Sequence, residues 1–566
     1  MAVIGIDLGT TNSLASVWRN GRCELIPNSL GEYLTPSVVS VDENGDILTG
    51  KVAKERLISH PERTASSFKR FMGTKKTYTL GPHTFRPEDL SSFIIRQLKA
   101  DAEAYLKEPV TEAVISVPAY FNDRQRSSTK LAGELAGLKV ERIINEPSAA
   151  ALANRGMADL EKVFLVFDLG GGTLDVSIVE LFENIVQIVA ISGDNHLGGD
   201  DFDAAIAQRF FQTYPELSDE LTVQERNSVL RLAERCKIAL SSQSVAGFVY
   251  DHHGKQYEMV LDEKQLIECC ASLFERIKKV IRQALRDSGK NIFDIDAIIL
   301  VGGSSKMPAV QKYLKHLTGR QMINRISPDY AVSIGAGIAT GIKSRNGEIK
   351  DLVLCDICPF SLGMSVYDEE LNRPVFTPIL EKNTPLPASK IEAFWTRYDS
   401  DDVTISVYQG ESQNLDNDLL IDEFKVRFPS KVRKNTRFFV RFTYDINGIL
   451  DIEVFPESGD KPYVEEIINR STLSETEFKQ HMAAMNQLKL SPNGQDENSL
   501  LLARGGRLYA ETSGQTRREI EKALTSFECA LNQRGIVEIE RSKRYLTELL
   551  DQIEDIDFGL NEDDFT

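Results

Sequence analysis

Two stretches decide the fold: Gly5-Ile6-Asp7-Leu8-Gly9-Thr10-Thr11 near the start of the chain and Val166-Phe167-Asp168-Leu169-Gly170-Gly171-Gly172-Thr173 far downstream. In each, an apolar strand delivers an Asp, a Gly-rich turn follows, and hydroxyl residues precede a second strand. Glycine lets backbone N–H groups approach phosphate oxygens closely, and Thr hydroxyls add donors at the same place. Two carboxylates beside bound polyphosphate would repel it. A divalent cation between Asp7 and Asp168, Mg²⁺ held largely through its waters, resolves that conflict. A single hairpin of this kind is common in sheets; the pair suggests two related lobes facing each other across a cleft.

Outward from these hairpins, residues 1–350 alternate β-branched runs with amphipathic stretches, the pattern of α/β architecture. Val3–Ile6, Ala113–Val117, Val163–Phe167 and Ala297–Val301 read as strands, and Glu88–Leu106 and Asp262–Ser288 as helical. Residues 351–356, Asp351-Leu352-Val353-Leu354-Cys355-Asp356, form an apolar linker bounded by acids. Ordinary linkers are polar, so this one is expected to bind elsewhere on the protein in one state. Residues 357–472 alternate strands and turns, with the hairpin signal Asn447-Gly448 between alternating apolar residues, and predict a β-sandwich. Residues 473–566 read as helical and polar, ending in an acidic tail expected to be disordered.

Bulk properties exclude several classes. A chain of 566 residues exceeds what one core usually supports. The net charge of -18, with Lys and Arg scattered, argues against nucleic acid as a partner. No apolar run approaches the length of a membrane span, and MAVIGIDLGTTNS has no basic region of a secretory leader, so a cytoplasmic location is expected. The seven cysteines suit reduced thiols. Cys355 and Cys358 are spaced as C-x-x-C, but on an extended segment their side chains diverge and no helix N-terminus lowers a thiol pKa. Gly45–Lys51 fits the first seven positions of a Walker A loop but fails at Val52, where Ser or Thr is needed; Val41–Asp46 reads instead as a hairpin turn.

Seven ordered motifs resemble the DnaK family of heat-shock chaperones along nearly the whole chain. They are Gly5–Ser13 (GIDLGTTNS), Phe68-Lys69-Arg70, Val117–Asp123 (VPAYFND), Ile143–Pro147 (IINEP), Phe167–Ser177 (FDLGGGTLDVS), Leu197–Asp203 (LGGDDFD) and Val301–Ser304 (VGGS). Asp356–Gly363 (DICPFSLG) and the short C-terminal region look most like the bacterial HscC branch. The resemblance implies an actin-like, duplicated ribonuclease H-like ATPase domain, a β-sandwich peptide-binding domain and a helical lid. It implies an ATP-dependent chaperone that binds and releases extended hydrophobic polypeptide, with hydrolysis controlling affinity.

The same resemblance implies residue roles. Thr10, Thr11 and Asn12 hold phosphate from one lobe, and Gly170, Gly171, Gly172 and Thr173 from the other, with Gly198 and Gly199 beside them. Asp7 and Asp168 surround hydrated Mg²⁺, Glu146 and Asp175 order the attacking water, and Lys69 reaches toward the γ-phosphate. Glu234, Lys237 and Ser241 share one helix face against adenine, opposed by Gly302, Gly303, Ser304 and Asp329, with Lys306 where the family often has Arg. Without the resemblance, Lys69 reads as a solvated surface lysine and Glu234 with Lys237 as an exposed i,i+3 ion pair. The implied ligands are ATP or ADP with Mg²⁺ and, as a further cation, K⁺. Met364, Phe394, Val403 and Ile405 line the implied peptide pocket under an arch that includes Tyr367; read without the resemblance, they are the inner face of a sandwich. Pro118, Arg126, Leu352, Val353, Leu354 and Asp356 match the allosteric relay, and Arg142 with Asp356 the contact with a J-domain co-chaperone. A nucleotide exchange factor is left open. Two competing readings, a sugar kinase on the same cleft and a filament-forming actin relative, leave residues 357–566 without a purpose.

Overall fold

A computed structural model of the chain describes residues 2–154, 162–182, 185–343, 353–446, 448, 450–457, 462–468, 475–488, 490, 497–512, 514–533 and 536–557. Leu352 of the linker, Asn447 of the hairpin turn and the acidic tail lie outside these residues.

The repeat in the sequence is a repeat in topology. The first lobe is built from β1 (Ala2–Asp7), β2 (Asn12–Arg19), β3 (Arg22–Ile26), β4 (Val110–Val117) and β5 (Lys139–Asn145), in the order β3-β2-β1-β4-β5. The second is built from β6 (Lys162–Leu169), β7 (Leu174–Phe182), β8 (Ile185–Asp194), β9 (Ala297–Val301) and β10 (Gln321–Ile323), in the order β8-β7-β6-β9-β10. In both, the first three strands are antiparallel and the last two run parallel to the first. The Asp-bearing turns are the β1–β2 and β6–β7 connections, so both turns occupy the same place in their lobes. One further strand, β11 (Val353–Cys355), pairs parallel with β8 at the sheet edge.

Helices cover the sheets: α1 (Gly50–Ser59), α2 (Pro87–Leu106), α3 (Asp123–Leu135), α4 (Glu146–Asn154), α5 (Gly199–Thr213), α6 (Val223–Ala239), α7 (Glu263–Cys269), α8 (Ala271–Asp287) and α9 (Ala331–Lys343). The expected helix at Asp262–Ser288 is interrupted: α7 and α8 are separate, with Cys270 at the break. Asp262 caps α7 by accepting from the Gln265 N–H, which fixes where that helix starts. α4 and α9 cross closely between the lobes because small residues face each other: a Cβ at Gly335 would lie 1.8 Å from the Ala149 carbonyl oxygen. Val39–Val41 and Ile47–Thr49 form the hairpin expected around Asp42–Asp46, but α1 does follow it. Lys51 on that helix is paired with Glu32 rather than turned toward a phosphate.

The sandwich has one sheet of β12 (Leu362–Asp368), β13 (Arg373–Leu380), β15 (Ser400–Gln409) and β16 (Leu419–Val432) in the order β13-β12-β15-β16. The other holds β14 (Ala388–Trp395), β17 (Arg437–Tyr444), β18 (Leu450–Pro456) and β19 (Val464–Ile468) in chain order. Their inner faces share one core that includes Leu362, Ile405, Val440 and Phe442. Inward residues alternate with outward ones, as in β17, where Phe438, Val440, Phe442 and Tyr444 are buried. The C-terminal helices α10 (Glu475–Gln487), α11 (Glu497–Glu511), α12 (Gly514–Gln533) and α13 (Ile536–Asp557) follow.

Neither the sandwich nor these helices stand apart from the lobes. The Asp123 N–H donates to Gln409, Arg124 donates to the Leu420 carbonyl, and Lys382 pairs with Asp287. On the other side Met485 is buried in the core of the first lobe, and Arg96 donates to the Met485 and Leu488 carbonyls.

Candidate nucleotide cleft and its connections

The two Gly-rich turns face each other across a cleft with a volume of about 260 Å³. Asp7, Thr10, Thr11 and Asn12 line it from the first lobe, and Asp168, Gly170, Gly171 and Thr173 from the second. Lys69 and Glu146 close its floor, while Gly199, Glu234, Lys237, Ser241, Gly302, Gly303, Ser304 and Asp329 line the far end. Gly172, Asp175, Gly198 and Lys306 stand behind or beside this lining rather than in it. A Cβ at Gly198 would sit 2.4 Å from the Gly171 backbone, so this glycine allows the loop ahead of α5 to press on the phosphate-sized turn. Lys306 is held by Asp329 at the rim.

Charge in the cleft is out of balance. Asp168 and Asp175 are opposed across β6 and β7. Burial, followed by the proximity of Glu146, pushes Asp7 and Asp175 each up to about 7, and the same causes hold Asp168 well above the carboxylate range. The Ser116 hydroxyl donates to Asp7 at 3.0 Å and the Tyr120 N–H to Asp175 at 3.3 Å, both favouring the ionised forms. Lys69, buried in a 3-10 turn at Phe68–Phe71, pairs with Glu146 at 2.7 Å and lies over the Phe121 ring. It is therefore not the solvated surface lysine that its motif suggests out of context. Were all four ionised, Asp7, Glu146, Asp168 and Asp175 would carry more negative charge than Lys69 can offset. Thr11 Oγ1 and Asp175 Oδ2 are buried with no hydrogen-bond partner. An oxygen-rich acidic wall facing glycine amides and threonine hydroxyls fits hydrated Mg²⁺ with a polyphosphate.

At the far end, Glu234 and Lys237 on α6 do not pair with each other. Lys237 pairs with Asp203 of α5 at 2.8 Å, and Glu234 with Lys54 of α1 at 3.4 Å. The second pair crosses between the lobes. Burial raises Asp203 to about 7, against the pull of Lys237. Arg70 was not singled out from its motif, yet it also spans the cleft, donating to the Gly171 carbonyl at 3.2 Å and to Asp201 at 2.8 Å.

A hydrogen-bonded chain leads from the cleft to the linker. Asp175 accepts from the Tyr120 N–H; Arg126 donates to the carbonyls of Ala119 and Phe121 on either side, and to Asn145 at 2.6 Å. Asn145 donates to Asp356 at 2.7 Å and Ser148 does so at 3.2 Å. Burial raises the Asp356 carboxyl and lowers Arg142 nearby. Pro118 begins this turn, and its carbonyl accepts from the Phe121 N–H. Leu354 packs against the core beneath β8 while Val353 is half exposed. Within the linker, Val353–Cys355 is thus a strand, with Val353, Leu354 and Cys355 opposite Ile185, Val186 and Gln187. Cys358 is buried and burial pushes its thiol up; its S–H donates to the Phe360 carbonyl.

In the sandwich, Met364, Phe394 and Ile405 are buried in one core with Val403 packed against them, drawn from both sheets. Tyr367 at the end of β12 carries the Arg397 guanidinium 3.3 Å from its ring centre, a stacking contact that sequence reasoning missed. Arg507 of α11 was missed as well. It is fully buried and pairs with Glu55 of α1, with Glu511 and with Glu554 of α13. Its i+4 partner Glu511 lies on the same helix, but Glu55 and Glu554 lie on two other elements that the local sequence does not show.

Compared with known families, the chain matches the profile described as Hsp70 protein over residues 3–80 and 75–557.

Proposed function

Because the chain belongs to the Hsp70 family, whose members are ATPases that bind polypeptides under nucleotide control, we propose that the cleft between the lobes hydrolyses ATP and that hydrolysis sets how tightly the sandwich holds an extended apolar segment. The observation that carries this reading is the hydrogen-bonded chain from Asp175 through Arg126 and Asn145 to Asp356, because it ends where the linker enters the sandwich. A sugar kinase would have no use for such a connection.

Thr10, Thr11, Asn12, Gly170, Gly171, Gly172 and Thr173 bind and orient the phosphates through backbone amides and hydroxyls. Mg²⁺, when bound, would be held by Asp7 and Asp168 through water and would neutralise charge on the phosphates; K⁺ would add to this from the same acidic wall. Lys69 places positive charge where the transferring phosphoryl group gains negative charge, and Glu146 holds Lys69 in position. Asp175 and Glu146 accept a proton or hydrogen bond from the attacking water. Catalysis of this kind rests on positioning and electrostatics more than on covalent chemistry. Glu234, Lys237 and Ser241 face adenine, opposite Gly302, Gly303 and Ser304, with Gly198, Gly199, Asp329 and Lys306 supporting that end.

Met364, Phe394, Val403 and Ile405 would admit one aliphatic side chain of the client, beneath the Tyr367 arch, while backbone hydrogen bonds hold the rest. Leu352, Val353, Leu354 and Asp356 couple the units, with Pro118 and Arg126 as relay. Arg142 and Asp356 present the surface for a J-domain co-chaperone. Within the family, DICPFSLG at Asp356–Gly363 supports the HscC branch. The test is ATP turnover with and without an apolar peptide, alongside peptide release with and without ATP. Peptide-stimulated turnover together with ATP-accelerated release is expected; phosphorylation of a small acceptor without either effect overturns the reading.

A further inference from the structure

Three cysteines converge behind the far end of the cleft. Cys269 ends α7, Cys270 is the single residue between α7 and α8, and Cys236 lies on α6 next to Lys237. The two adjacent sulfurs are 3.7 Å apart. Cys236 and Cys270 are buried in the core of the second lobe, whereas Cys269 is only partly buried. The surroundings divide the roles. Cys270 donates its S–H toward Cys269, and the Arg209 guanidinium lies near, so the Cys269 thiol is held below its usual range. Burial and the same hydrogen bond push Cys270 up. In the reduced protein Cys269 donates to the Leu266 carbonyl at 3.2 Å. A low, reachable thiol beside a high, buried one is the arrangement of an attacking and a resolving cysteine.

We propose that Cys269 and Cys270 form a peroxide-responsive dithiol that loosens the adenine end of the cleft when it is oxidised. The Cys269 thiol releases its proton to solvent, the thiolate attacks one oxygen of hydrogen peroxide, the O–O bond breaks, and the departing hydroxide takes a proton from solvent and leaves as water, giving a sulfenic acid. The Cys270 sulfur then attacks the Cys269 sulfur; the S–S bond forms, and the hydroxyl leaves with the Cys270 proton as a second water. Two thiols give two electrons to one peroxide. Closing the sulfurs from 3.7 Å to a bond of about 2.0 Å requires movement at the α7–α8 break. Cys270 is thereby drawn out of the core that supports α6 and α5, which carry Lys237 and Asp203. Nucleotide retention should fall.

The experiment treats the full-length protein with graded hydrogen peroxide and reads intact and peptide mass, then ADP affinity. The expected result is loss of two hydrogens within the peptide holding Cys269 and Cys270, together with roughly fivefold or greater weakening of ADP binding, both reversed by a dithiol reductant. Cys269→Ser should abolish both changes, and Cys236→Ser should leave both in place. Three outcomes overturn the proposal: oxidation confined to exposed Cys529, a disulfide between Cys269 and Cys236, or an equal loss of affinity in Cys269→Ser. Because the effect on affinity assumes that the cleft holds nucleotide, the mass measurement is read separately; disulfide formation in a protein that binds no ADP would discredit the nucleotide reading instead.

Discussion

Lys69 Nζ stands 2.7 Å from Glu146 Oε1, with both side chains almost fully buried at the floor of the cleft. A pair so enclosed adds little net stability, because the cost of desolvating two charges roughly cancels their attraction. On the proposed function, Lys69 exchanges Glu146 for a phosphoryl oxygen.

Lys69→Ala should therefore keep ATP binding and slow hydrolysis by about a hundredfold or more, the effect of losing one preorganised charge worth about 3 kcal/mol. Single-turnover hydrolysis at saturating ATP measures this, and a wild-type rate would remove Lys69 from the mechanism.

The Asp7 carboxyl, raised from 3.8 to about 7 in the folded protein, predicts a pH dependence of stability in the absence of Mg²⁺ and nucleotide. Between these values the folded state keeps a proton that the unfolded chain has released, so its contribution is complete below 3.8 and is lost as pH rises through about 7. Asp7→Asn removes that group. Thermal melts across this window should fall less steeply with pH for the variant than for the wild type; parallel curves would show that Asp7 carries no such linkage.

Leu354 is partly buried against the core beside β8, so its packing contributes less than the about 1.5–3 kcal/mol of a fully buried leucine. Leu354→Asp replaces that burial with a charge. ATP and peptide should each still bind, while ATP no longer accelerates peptide release and peptide no longer raises ATP turnover. Stopped-flow release with and without ATP decides the matter, since a retained acceleration would mean that the signal bypasses the linker. Reciprocity of the coupling demands that both effects vanish together.

Arg507 joins α11 to α1 through Glu55 and to α13 through Glu554. Arg507→Ala removes the cation common to Glu55, Glu511 and Glu554, leaving Arg231 beside the first two and Arg504 beside the third, which should loosen α11 from the first lobe. Hydrogen exchange within Gly50–Ser59 and Glu497–Glu511 should rise at least severalfold, while exchange in β6 and β9 stays unchanged. Equal protection in the variant would show that apolar contacts such as Val52 with Leu500 and Ala503 suffice to hold the helices together.

The lobes were legible because the fold duplicates itself and the duplication leaves matched Asp–Gly turns at Asp7–Thr11 and Asp168–Thr173. Strand runs and the helix at Pro87–Leu106 were legible for the ordinary reason that their periodicity matches their burial. What escaped depends on partners distant in sequence. Taken without the resemblance, Lys69 reads as a surface residue, because only the fold sets its turn against Phe121 and Glu146. Glu234 and Lys237 have helical spacing for a mutual pair, yet each finds a better partner on another element, Lys54 and Asp203. The linker was expected to bind elsewhere on the protein, but its place was not legible: Val353–Cys355 pairs with Ile185–Gln187, an open edge that local sequence does not reveal. The break at Cys270 was hidden by apolar spacing that continues through it from α7 to α8.

Docking of Val353–Cys355 beside β8 has a consequence for solubility. A sheet edge exposes a row of unpaired amides and carbonyls, and any extended chain can use it as a template. In the docked state the protein's own segment occupies that row. On the proposed coupling, each release of the linker would uncover it, in a protein whose proposed work is to gather extended apolar chains. The span of β11 is short, three residues, so the uncovered row is short as well. A brief edge offers little length for strand addition, so on that reading its shortness would limit self-association as the molecule switches.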